Sequence, residues 1–138
     1  MIQDRSLLKL ADNSGAKIVQ CIKVYKTQKV SVGSLILVAV KQVRSQSRIK
    51  KGELYKAIVV RLNNLISRKN GNFIRCSENA VILLNSKNEF SGTRLIGPIT
   101  NELRKKKLTK ILYKKLYYRG YLVTSPENYL IVSRNKKK

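Results

Sequence analysis

The first part of the chain reads as an apolar run, a polar turn and a stretch of alternating positions. Leu7, Leu8 and Leu10 run into Asp12-Asn13-Ser14-Gly15, and then Ile18, Gln20, Ile22 and Val24 alternate with Lys17, Val19, Cys21 and Lys23. An apolar run before a turn rich in Asx and Gly, and alternation after it, predict two strands joined by a tight connection. Two further apolar runs, Leu35 to Val40 after Val32-Gly33-Ser34 and Ala57 to Leu62 after Lys51-Gly52, are short and β-branched, as buried strands are. Asn70-Gly71 suits a two-residue hairpin turn, because both residues tolerate positive φ, and it precedes Phe73, Ile74 and the run Ala80 to Leu84. Five or six short strands with Gly-containing turns and no helix between them predict a mainly β fold, a small closed or nearly closed β-barrel.

The period changes after Pro98. Leu103, Leu108, Ile111, Leu112 and Leu116 recur at helical spacing, with Thr100 as the expected N-cap, Glu102 in the first turn and Gly120 as the stop. Beyond it, Tyr121-Leu122-Val123 and Tyr129 to Val132 flank Ser125-Pro126-Glu127-Asn128, the pattern of a hairpin, and Arg134 to Lys138 form a basic tail. With no repeat or flexible linker, the expected organisation is one domain. Residues 1–100 form the barrel, and 101–138 add a basic helix, a hairpin-like extension and a tail without an independent core.

Charge sharpens this picture. Among 138 residues, 30 Lys and Arg stand against 7 Asp and Glu, a formal +23. Self-repulsion on so small a body calls for a polyanionic partner, either nucleic acid or an anionic membrane. The absence of His, two Cys separated by 55 positions and seven scattered acids leave no ligand set for zinc and no Ser-His or Cys-His pair. No catalytic residue, metal or cofactor is expected. Cys21 and Cys76 read as two small buried thiols, with a disulfide as the minor alternative. No 18-residue apolar run occurs, and the start Met1-Ile2-Gln3 carries neither a signal-peptide core nor a transit-peptide pattern, so no targeting segment is expected.

The basic residues gather between the strands. Lys41, Arg44, Arg48, Lys50 and Lys51 fall in one connection, Arg68 and Lys69 flank the Asn-Gly turn, and Lys105 to Lys107 follow the helix start. Several like-signed loops with too few acids to pair them suit the irregular phosphate surface of a folded RNA. Tyr25, Tyr55, Phe73 and Phe90 form no paired aromatic platform, which favours recognition by shape and phosphate over base stacking. Tyr113, Tyr117, Tyr118, Tyr121 and Tyr129 are expected to pack the C-terminal helix and hairpin, with stacking on exposed bases as the alternative.

Ala11-Asp12-Asn13-Ser14-Gly15-Ala16-Lys17, followed by Cys21-Ile22-Lys23-Val24, resembles the opening of ribosomal protein fourteen of the large subunit, a family found in all ribosomes. Further likenesses keep the family's order: Lys50-Lys51-Gly52, Lys56-Ala57-Ile58-Val59-Val60-Arg61, Asn70-Gly71 with Ile74-Arg75, Asn79 to Asn85, Gly92-Thr93-Arg94 with Gly97-Pro98, and Glu102-Leu103-Arg104. The resemblance spans about residues 1–111. It implies a five-stranded barrel with a small C-terminal helical part, without a catalytic site. Such a protein binds large-subunit ribosomal RNA at the intersubunit face and helps to bridge to small-subunit RNA. The neighbours it implies are large-subunit proteins three and nineteen and, in many bacteria and organelles, a ribosome-silencing factor.

The candidate RNA contacts are Lys17, Lys50, Lys51, Arg68, Lys69, Arg75, Arg94, Arg104 and Lys105; of these, Lys50, Lys51, Arg68, Lys69, Arg75 and Arg94 match basic positions of the family the chain resembles. Arg94 ranks first, because its short loop would set a planar guanidinium beside exposed backbone amides. A structural role for Arg94, capping carbonyls of the helical part, is the alternative. The Asp12 to Gly15 turn is expected to bring backbone close to another surface, with Lys17 leaving it as a phosphate ligand. The chain holds 20 Lys, 13 Ile, 11 Asn and 7 Tyr, residues that A- and T-rich codons encode. An organelle-encoded mitochondrial protein is therefore expected, with a plastid or an A+T-rich bacterium as alternatives. The rival function is a peripheral membrane protein that lays the basic amphipathic segment 102–119 on anionic lipid; the motifs in register favour the ribosome, with no membrane partner.

Overall fold

A computed structural model describes residues 2–25, 30–105, 108 and 122–123. Its elements are β1 (Leu7–Leu10), β2 (Ala16–Val24), β3 (Leu35–Val43), β4 (Leu54–Arg61), β5 (Ile66–Ser67), β6 (Phe73–Ile74), β7 (Ala80–Leu84), β8 (Ile99–Thr100), the single helical turn α1 (Glu102–Lys105) and β9 (Leu122–Val123). Strands β1-β2-β3-β4-β7 close into a barrel. Successive neighbours are antiparallel, and the ring is completed by a parallel pair in which Lys9 and Leu10 of β1 face Ala80 and Val81 of β7. Closure removes the unpaired edges that five short strands would otherwise expose.

Period-two alternation decides which side chains fill the interior. Along β3, Ile36, Val38 and Val40 are fully buried while Leu35, Leu37 and Ala39 are half-exposed on the outside. Each fully buried aliphatic chain contributes roughly 1.5–3 kcal/mol. Strands β3 and β4 outrun the apolar runs that predicted them, because their extra residues Lys41, Gln42, Leu54 and Lys56 point to solvent. In β7 and the second half of β4 both faces are buried. The apolar cluster there also includes Val30 and Val32 before β3, and Leu95, Ile99 and Leu103 after β7.

Arg61 ends β4 at 4% exposure. Its Nη1 donates to the carbonyls of Ile96 at 2.8 Å and Pro98 at 3.2 Å, and its Nη2 meets Glu78 Oε1 at 3.0 Å. Lys9 binds the other Glu78 oxygen at 2.9 Å. The bond from Lys9 and the charge of Arg61 outweigh desolvation and hold the Glu78 carboxyl below the usual range. One buried guanidinium thus fastens the segment after β7 across the end of the barrel.

Several sequence expectations change. Asn70 does not adopt positive φ; Gly71 does, at 78°. Arg68 and Asn72 close a three-residue loop between β5 and β6, with Gly71 N–H donating to Arg68 O at 3.1 Å. This is a turn followed by a left-handed glycine, in place of a two-residue turn. Thr100, the expected N-cap, is a buried residue of β8, and Asn101 directly precedes α1. Leu122–Val123 pairs in parallel with β8, so the half of the expected hairpin that is described joins an earlier strand. The helix beyond Lys105, the strand Tyr129 to Val132, the tail and the five C-terminal tyrosines lie outside the described residues. Cys21 and Cys76 are buried and free, and burial pushes both thiols up from their ordinary range.

Candidate nucleic-acid interface

With antiparallel neighbours and β1 parallel to β7, the connections fall at two ends of the barrel. Residues 11–15, 44–53 and 85–94 lie at one end, and 62–79 at the other.

At the first end three loops are tied together. Asp12, 3% exposed, accepts from Leu83 N at 3.0 Å through Oδ2, and from the amide and hydroxyl of Ser14 through Oδ1. Asn13 Oδ1 accepts from the amides of Thr93 at 2.9 Å and Arg94 at 3.0 Å, while its Nδ2 donates to Thr93 Oγ1 at 3.1 Å. On the other flank Arg44 N–H donates to Gly15 O at 2.8 Å. A Cβ on Gly15 would stand 2.4 Å from Ser47 Cβ, so only glycine lets the two loops meet. The result is a cleft of about 880 Å³, lined by cations Arg44 and Arg48, by neutral polar residues including Gln46, Asn85 and Thr93, and by Tyr55. No carboxylate lines it. Tyr55 OH donates to Glu53 Oε2 at 2.8 Å, which lowers the Glu53 carboxyl while burial raises the Tyr55 phenol.

Lys17, at the start of β2, and Lys50 and Lys51, at the turn before β4, are exposed at this end, as is Arg94. Two details correct the sequence reading. The surface that the Asp12 to Gly15 turn approaches closely is the chain's own Ser47 loop. The amides beside Arg94 are already occupied by Asn13, so they are not open donors for a phosphate. Arg44 and Arg48 were legible only as members of a basic connection, since their convergence on a cleft depends on the Gly15–Ser47 approach.

The second end gathers Arg68, Lys69 and Arg75. Lys69 is exposed at the loop tip. Arg75 is exposed, and its Nε donates to Asn63 Oδ1 at 2.7 Å. Arg68 is 19% exposed, with its Nε 2.7 Å from Glu102 Oε1, so it holds the β5–β6 hairpin to α1 rather than presenting a bare charge. Arg104 and Lys105 belong to α1. The nine candidates therefore divide between two ends. Arg61, which sequence reading did not single out for a role, had a signal: an arginine in the otherwise apolar run Val59-Val60-Arg61-Leu62 demands a buried partner.

Among the described residues no group of three or more His, Cys, Asp or Glu could hold a metal ion, and no helix is long and apolar enough to cross a membrane. Most of segment 102–119, on which the lipid-binding alternative rests, lies outside the described residues. Comparison with known proteins finds that residues 1–115 match the family described as ribosomal protein L14p/L23e.

Proposed function

The chain belongs to that ribosomal protein family, a class of structural, non-enzymatic ribosome constituents, and we propose that it holds large-subunit ribosomal RNA through the basic loops of its barrel. The observation that carries this reading is the first end of the barrel. There three loops are locked to one another, Lys17, Arg44, Arg48, Lys50, Lys51 and Arg94 are exposed at that end, and the cleft that Arg44 and Arg48 line has no acid in its wall. Loops fixed in advance lose little entropy on meeting phosphates. Lys69, Arg75, Arg104 and Lys105 would extend the contact from the second end, with Arg68 setting the position of its hairpin.

The finer assignments follow from the resemblance. They are a position at the intersubunit face with a bridge to small-subunit RNA, large-subunit proteins three and nineteen as neighbours, and a silencing factor as an occasional visitor. A protein neighbour is supported by the transverse row Leu7, Gln20, Ala39 and Leu54 across the outside of β1 to β4. This row is uncharged, with Leu7 62% and Leu54 59% exposed. A mitochondrial ribosome is supported by the Lys-, Ile-, Asn- and Tyr-rich composition.

The test is binding to large-subunit RNA as salt is raised. Neutralising about six to ten phosphates costs roughly 10³ to 10⁵ in affinity between about 50 and 200 mM salt. A titration by filter retention should show that slope. Affinity nearly constant over the range would remove the electrostatic basis of the proposal.

A further inference from the structure

The cleft at the first end is concave. The bases of an A-form helix stay stacked and paired, whereas an unpaired base can be splayed out of the RNA and project into a recess. A pocket of about 880 Å³ lies in the range that encloses a small molecule or a single projecting group. Its lining also exceeds what phosphate alone requires. Arg44 and Arg48 suffice for an anion, whereas the side-chain amides of Gln46 and Asn85 carry paired donors and acceptors of the kind that base edges match. Tyr55 adds the aromatic ring. The walls are set before any ligand arrives, by the Arg44 N–H to Gly15 O bond and the clamp of Asn13 on Thr93.

We propose that this cleft receives one unpaired nucleotide of the large-subunit RNA, its phosphate beside Arg44 and Arg48 and its base edge read by Gln46 and Asn85. The proposal rests on the RNA-binding reading and deepens it from phosphate contact to recognition of a single base. The full-length chain is bound to large-subunit ribosomal RNA at low salt and probed with two kinds of reagent. Hydroxyl radicals report backbone contact, while dimethyl sulfate and a carbodiimide report the Watson–Crick edges of unpaired bases.

The expected result is protection of one unpaired base by the wild type. The doubly substituted Gln46→Ala, Asn85→Ala chain loses that protection and binds roughly tenfold more weakly, yet keeps the backbone footprint. Backbone protection without base protection, or base protection that survives the double substitution, overturns the nucleotide pocket and leaves the RNA-binding reading intact. No footprint of either kind overturns both.

Discussion

Gly97 and Gly52 share a positive φ, +81° and +93°, in very different surroundings. A Cβ on Gly52 meets nothing within 4 Å, whereas one on Gly97 would lie 2.4 Å from Arg61 Nη1. Gly52→Ala should therefore cost only the left-handed strain, about 1–2 kcal/mol. Gly97→Ala should cost clearly more, roughly 3–5 kcal/mol, because it also pushes a buried guanidinium off two carbonyls and a carboxylate. Urea midpoints of the two variants check this, and equal midpoints would show that Arg61 has room to yield. Asn13 makes a different point. It is exposed and uncharged, so Asn13→Ala should cost fold stability only about 1 kcal/mol. The same change should weaken RNA binding several-fold by releasing Thr93 and Arg94 from their fixed loop, and parallel unfolding and binding measurements separate the two effects.

The β5–β6 hairpin and α1 are both short, and neither would persist alone. What joins them is Arg68 to Glu102. Burial works to raise the Glu102 carboxyl, but the bond from Arg68, a backbone bond and the Arg68 charge outweigh it and hold it below the ordinary value. Since the folded pKa lies below the unfolded one, the unfolded chain takes up the proton first as the solution is acidified. The stabilisation is complete above the unfolded value of about 4.3 and is lost as pH falls through the folded value. Glu78, lowered by Lys9 and Arg61, adds to the slope with the same sign. Stability should thus fall as the pH drops through and below about 4.3, and Glu102→Gln should flatten the decline while lowering stability at neutral pH. A decline as steep as that of the wild type would exclude Glu102 as a contributor. Arg68→Ala, which strands a half-buried carboxylate, should cost about 1–3 kcal/mol at pH 7.

Over the whole molecule a net +23 sets two salt effects of opposite sign. Like charges on the free protein repel, and screening shortens from about 30 Å at 10 mM to about 8 Å at 150 mM salt. Added salt should therefore raise the thermal midpoint of the free chain over the range in which it weakens RNA binding. Calorimetry on the free protein checks this, and a midpoint that falls with salt would mean that attractive pairs dominate. Among the described residues, Lys9–Glu78, Arg61–Glu78 and Arg68–Glu102 are salt bridges. They consume two acids, which is why repulsion is expected to prevail.

The barrel strands were legible because period-two patterning and β-branched runs are local signals, read over five to nine residues around Val19, Val38, Val59 and Ile82. The Asp12 to Gly15 turn and the concentration of charge between strands were legible for the same reason. Pairing lies beyond such signals. Ile66–Ser67 is too short for a period to register, and Leu122–Val123 pairs with a strand 23 residues before it because the fold brings Ile99 there. The candidate site divides along the same line. Charge together with the family resemblance named Lys17, Lys50, Lys51 and Arg68, but whether a cation is held by the fold is a matter of which acid or carbonyl the fold sets beside it. Arg68 sits against Glu102 and Arg61 against Glu78 for that reason, and Arg44 meets the cleft because Gly15 admits Ser47. Local free energies act between chain neighbours and are written in the sequence, whereas long-range contacts exist only once the chain has closed on itself.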